Sequence, residues 1–140
     1  MKHLFLDTNI LIRFLTNDDN IQSPLAYKVF EKATKQEFIL VISPIVIAEC
    51  TWVLQMNRYG YSKEEISNIL RQLILSPGIK MLEEELTLNS LSNFSKHNVD
   101  FIDAYLASFS LLENKYPIIT WNKKDFKQLD CEFYSPENLL

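Results

Sequence analysis

Lys2–Asn17, KHLFLDTNILIRFLTN, is the stretch on which the fold turns. A short apolar run, Leu4-Phe5-Leu6, ends at Asp7-Thr8-Asn9, and a second run, Ile10-Leu11-Ile12, continues into Arg13-Phe14-Leu15. The first run is brief, bounded and aromatic-containing, as a buried strand is, while the second has helical spacing. Asp7 is thereby set at the carboxyl end of a first strand, just before a helix. In open parallel sheets that edge is where ligands bind. Asp7 and Thr8 would serve equally well as helix caps. The stretch alone leaves Asp7 open between the two roles.

Outward from this stretch, strands and helices alternate. Ser23-Pro24 predicts a helix start, with Ser as N-cap and Pro at the first helical position, running to Gln36-Glu37. Phe38–Ile42 reads as a second strand, and Ser43-Pro44 opens a helix to Met56. Gly60 is expected as a left-handed exit, and Ser62-Lys63-Glu64-Glu65 as a capping box for a helix to Leu75. Ile79–Met81 reads as a short strand. Helices follow from Glu83 to His97-Asn98 and from Phe101 to Asn114, then a strand at Tyr116–Thr120. Trp121–Phe126 is expected as a turn with a short helical piece, and Glu132–Tyr134 as a last strand. Such alternation predicts an α/β fold with a mostly parallel central sheet covered on both faces.

Length and composition suit one domain over residues 1–140. The chain is 47% hydrophobic and 23% charged, the balance of an ordinary globular protein. Asp7 interrupts the first apolar run too early for a signal peptide, and no stretch has the length of a membrane span. The two cysteines, Cys50 and Cys131, make no framework or metal-ligand spacing, which fits a reducing cytoplasm. With two glycines there is no room for a P-loop or a dinucleotide fingerprint. A net charge of −4 argues against a protein that coats nucleic acid, yet carboxylates that hold cations invert the local field.

Two carboxylates fall where apolar residues are expected. Glu49 has Ile45, Val46, Trp52 and Val53 as its helical neighbours, and an ionised, unpaired glutamate buried there costs several kcal/mol. A cation would compensate, and so would a hydroxyl or an arginine. Asp103 has Leu106 and Ala107 beside it on its helix. That helix precedes a strand, so its first turn, with Asp100 and Asp103, is expected at the carboxyl edge where Asp7 lies. Asp100 also fits an N-cap, and Asp103 a carboxylate serving the helix dipole. Thr120 and Asn122 follow a strand, with Asp125, Lys123, Lys124 and Lys127 close behind. Carboxylates gathered at one edge repel unless protons or cations intervene, and hard ions such as Mg²⁺ or Mn²⁺ match oxygen ligands.

Four segments together resemble the PIN-domain ribonucleases. Leu6-Asp7-Thr8-Asn9-Ile10-Leu11 is similar to their first motif and Ser43–Glu49 to their second. Asp100-Phe101-Ile102-Asp103-Ala104 resembles the third, and Ile119–Phe126 the fourth. Order and spacing resemble a VapC-type toxin of a toxin–antitoxin pair. The resemblance implies a three-layer α/β/α sandwich and Mg²⁺- or Mn²⁺-dependent cleavage of RNA, with tRNA or rRNA as the usual target. It further implies homodimerisation and inhibition by a cognate antitoxin. Asp7, Glu49 and Asp103 match the metal-binding acids. Asn122 stands where many members carry a fourth aspartate, which leaves open one-metal catalysis or substitution by Asp100 or Asp125. Arg13, Lys123, Lys124 and Lys127 are candidates for RNA phosphates, contacts that would be salt-sensitive but not base-specific.

Two other classes compete. A catalytically degenerate PIN-like scaffold would bind RNA or a partner protein without cutting. An aspartate-nucleophile phosphohydrolase would use Asp7, but dehalogenase-like phosphatases expect D-x-D where this chain has Asp7-Thr8-Asn9. That class also leaves Glu49 without a role.

Overall fold

A computed structural model describes all 140 residues. The chain forms two compact units, residues 1–84 and residues 85–140.

Unit 1 is built on a parallel sheet. Strand β1, His3–Phe5, leads through Leu6 and Asp7 into helix α1, Thr8–Thr16. Helix α2, Gln22–Thr34, precedes strand β2, Ile39–Ile42, and helix α3, Pro44–Gln55. Helix α4, Lys63–Ile74, precedes strand β3, Ile79–Met81. The sheet order is β1-β2-β3, with Leu4 opposite Leu40 and Val41 opposite Lys80. β2 is central and apolar throughout, with Leu40, Val41 and Ile42 all buried, as a strand covered on both faces must be. Leu11, Ile47, Leu54, Ile66, Leu70 and Ile74 are the largest fully buried side chains on the helices of this unit.

The ends of these elements differ from expectation in informative ways. Ser23 does not cap α2. The helix starts at Gln22, with Ile21 at the N-cap position and no side-chain cap bond, and in the turn before it Asp19 Oδ1 accepts the N–H groups of Ile21 (2.9 Å) and Gln22 (2.7 Å). The helix ends at Thr34 because Gln36 turns left-handed, φ 64°. Ser43 occupies the N-cap position of α3 without a side-chain cap bond. The capping box on α4 is present in full, with Ser62 Oγ accepting from Glu65 N–H and the Glu65 carboxylate accepting from Ser62 N–H. α3 exits instead through Met56, whose backbone is extended, and Gly60, left-handed at φ 65°, closes the turn that follows with its N–H on the Met56 carbonyl.

Unit 2 contains helix α5, Glu84–Lys96, whose first residue lies at the boundary, and helix α6, Phe101–Leu112. Strand β4, Ile118–Ile119, helix α7, Lys123–Gln128, strand β5, Phe133–Tyr134, and helix α8, Pro136–Leu139, follow. β4 and β5 pair in parallel, Ile118 opposite Phe133. β4 is shorter than Tyr116–Thr120 because only Ile118–Ile119 find a partner strand long enough to pair with. α8 is not foreseen in the sequence reading. Phe94 and Phe101 meet edge-on, centroids 6.3 Å apart, at the centre of this unit's core. No helix of the chain is long and apolar enough to cross a membrane.

Candidate functional site

The candidate residues form two groups, one in each unit. In unit 1, parallel pairing brings the carboxyl ends of β1 and β2 to one edge, followed by Asp7 and by the first turn of α3. Asp7 is the N-cap of α1, and its Oδ1 accepts the Thr8 N–H at 2.9 Å. The cap half of the sequence reading therefore holds. Asp7 remains exposed, so the cap does not exclude a ligand role. Thr8, itself buried, donates its hydroxyl to Glu49 Oε1 at 2.8 Å, which ties the first turn of α1 to the second turn of α3.

The burial expected around Glu49 is not found. Its carboxylate is exposed because Ile45 (70%) and Trp52 (45%) on the same helix face are themselves exposed. The Thr8 hydroxyl is the partner that a glutamate at this position was expected to need if no cation served it. Its role was not legible beforehand, although a threonine directly after Asp7 was the available signal. Beneath Glu49, burial and then the Glu49 charge push the Cys50 thiol up to about 12. Arg13 is engaged elsewhere. Its Nε donates to Gln22 (2.9 Å) and its Nη1 to both Asp18 oxygens (3.1 and 3.2 Å).

In unit 2, Asn122 organises the group. It follows β4 and N-caps α7, its side-chain oxygen accepting the Asp125 N–H at 3.4 Å. Its Nδ2 donates to Asp103 Oδ2 (3.2 Å) and to Asp125 Oδ2 (3.0 Å). Its backbone N–H donates to the Thr120 hydroxyl (2.9 Å). Asp103 lies in the first turn of the mostly apolar α6 and is half-buried, and this burial pushes its carboxyl above the ordinary carboxylate range. The charges of Asp100 and Asp125 add to the rise, and the Asn122 hydrogen bond opposes it. Asp100 stands at the N-cap position of α6 without a side-chain cap bond. Lys123, Lys124 and Lys127 are exposed on α7.

The structure brings Asp103, Asn122, Asp125 and Thr120 together within unit 2, and Asp7 and Glu49 onto Thr8 within unit 1. Sequence reading misses Trp121, whose exposed indole N–H donates to both Glu137 oxygens (3.0 and 3.2 Å), because Glu137 belongs to the unforeseen α8.

The donors are all hard oxygens, the set that suits Mg²⁺ or Mn²⁺ and not Zn²⁺. Neither unit gathers three His, Cys, Asp or Glu side chains tightly enough to hold an ion by itself. Chemically the residues fit such a cation. In unit 2, the Asn122 amide supplies the positive end of a dipole between two carboxylates.

A family model for the PIN domain matches residues 4–130, a span that includes Asp7, Glu49, Asp100, Asp103 and Asp125 and runs through both units. The chain belongs to the PIN domain family. With membership comes the α/β fold class expected from the sequence. PIN domains are generally nucleases, and PIN nucleases typically use divalent metals. No curated protein matches the chain. Among solved structures, this PIN chain is similar to VapBC2 from Rickettsia felis bound to a DNA fragment from their promoter. That likeness is 19% identical, covers 96% of this chain and 98% of that one, and has a TM-score of 0.39, too distant to carry an argument.

Proposed function

We propose that this PIN chain is a Mg²⁺- or Mn²⁺-dependent endoribonuclease. In this reading it is the VapC-type toxin of a toxin–antitoxin pair, acting on tRNA or rRNA in the cytoplasm. It works as one domain over residues 1–140 and pairs as a homodimer. A cognate antitoxin restrains it. The observation that carries the reading is the family match over residues 4–130, within which all four acidic motifs stand in order.

Asp7, Glu49 and Asp103 are the proposed cation ligands, with Asp100, Thr120, Asn122 and Asp125 as supporting groups. A bound Mg²⁺ or Mn²⁺ would supply an activated water and neutralise charge on the scissile phosphate. The chain's own residues do the positioning. The Thr8 hydroxyl fixes one oxygen of Glu49, and its backbone N–H fixes one oxygen of Asp7. Asn122 aligns Asp103 and Asp125, and Thr120 holds the Asn122 backbone. Lys123, Lys124 and Lys127 are proposed to meet RNA phosphates as solvated cations.

Incubation of purified protein with total RNA, with and without Mg²⁺ or Mn²⁺, followed by mapping of cut ends, tests the proposal. Asp7→Asn and, separately, Glu49→Gln are expected to lower cleavage by about 10²-fold or more while each variant melts cooperatively. Full cleavage by both folded variants would overturn the residue assignment. The amide of Asn122 favours one second reading, a scaffold that binds RNA or a partner without cutting, because it donates to both Asp103 and Asp125, oxygens that a cation would otherwise engage. RNA binding with no metal-dependent cut ends would select it.

A further inference from the structure

We infer that Trp121 is a stacking platform for an unpaired RNA base, placed next to the Asn122-centred acidic group; this rests on the ribonuclease reading and adds a residue that holds the substrate. The indole is 72% exposed, so at least one ring face is open to solvent, and the next residue is Asn122. It is not a loose side chain. Its Nε1–H donates to both oxygens of Glu137 at 3.0 and 3.2 Å, and its carbonyl accepts the Lys123 N–H at 2.9 Å. The Trp121 hydrogen bond chiefly, and the Lys123 charge more weakly, hold the Glu137 carboxyl below its ordinary range, so Lys123 lies close to the same cluster. Lys123 and Lys124 follow directly on α7, both exposed. A ring anchored through its N–H, with a free face and two exposed lysines directly after it in the chain, is the pairing that binds single-stranded nucleic acid. Bases stack on the aromatic, phosphates meet the lysines, and little side-chain entropy remains to be lost.

A purely structural role, a clasp between the β4–α7 loop and α8, predicts something different. Trp121→Phe keeps a ring but loses the bond to Glu137, while Trp121→Ala loses both. Binding is measured by anisotropy of labelled oligouridylate in EDTA, where no cut can occur. Trp121→Ala is expected to weaken binding about 5- to 150-fold, the range for stacking on one base, while Trp121→Phe keeps most of it. In a Trp52→Phe background, where Trp121 is the one remaining tryptophan, its fluorescence is expected to quench as RNA is added. The inference is overturned if Trp121→Ala binds as tightly as the parent, or if Trp121→Phe falls as far as Trp121→Ala. Should the parent cleave RNA with Mn²⁺ while Trp121→Ala binds unchanged, the stacking role falls and the ribonuclease reading stands. Should the parent neither bind nor cleave RNA, both fall.

Discussion

Asparagine carries two N–H donors, one acceptor and no charge, and Asn122 uses all of these within unit 2. Its amide bridges Asp103 and Asp125, and its oxygen caps α7. Replacing it by aspartate keeps the cap but exchanges a donor for a fourth negative group beside Asp100, Asp103 and Asp125. Since these contacts are solvent-exposed, Asn122→Asp is expected to cost only about 0.5–1 kcal/mol without divalent ions. Mn²⁺ should then raise its melting temperature more than that of the parent, a comparison made by thermal denaturation with and without the ion. An equal Mn²⁺ shift in both proteins would contradict this account of Asn122. At this scale the sequence was legible where chemistry and position agree. Asp103 and Asn122, read from the sequence as belonging to one edge, are hydrogen-bonded to each other, and Asp125 joins them. Glu49 shows the limit: its helical neighbours are apolar by identity, but Ile45 and Trp52 are exposed, so apolar spacing did not translate into burial.

Elements were read more safely than their ends. Every expected strand and helix has a counterpart, because periodicity is a property of a whole segment. The ends depend on single hydrogen bonds that compete locally. The Asp19 carboxylate, not Ser23, takes the Ile21 and Gln22 N–H groups where α2 begins, and α8 is a four-residue piece too short for any periodic signal. Gly78 shows how one backbone position can decide whether two elements fit. It lies between α4 and β3 at φ 83°, and its carbonyl accepts the Leu40 N–H from β2 at 2.9 Å. A Cβ there would run into the backbone carbonyl of Ala33 near the end of α2. Gly78→Ala is therefore expected to destabilise unit 1 by more than about 1 kcal/mol, through both the left-handed backbone and the clash. Urea unfolding followed by circular dichroism measures it, and an unchanged midpoint would show that the α2–β3 packing is looser than described.

For the molecule as a whole, acid stability has a local origin in Asp18. One carboxylate accepts from the Tyr59 hydroxyl (2.6 Å), from Arg13 and from Arg58 (3.0 Å), joining the α1–α2 turn to the α3–α4 turn. The Tyr59 hydrogen bond chiefly, helped by Thr16 and Arg13 against the opposing effect of burial, lowers its pKa from 3.8 to about 2. Because the folded pKa lies below the unfolded one, the contribution is complete above 3.8 and is lost as pH falls toward about 2. The stability difference between the parent and Asp18→Asn, measured by urea unfolding, is expected to shrink across that window. A difference that stays constant down to the lower limit would rule the linkage out. The strand order of unit 1 carries a consequence for synthesis. β1, β2 and β3 lie side by side in the order in which they are translated. Each new strand can dock on the exposed edge of its predecessor as the ribosome delivers it, so no earlier strand must wait for a later one to be inserted between it and its neighbour. A nascent chain that has emerged as far as Glu84 holds every partner that its first sheet requires.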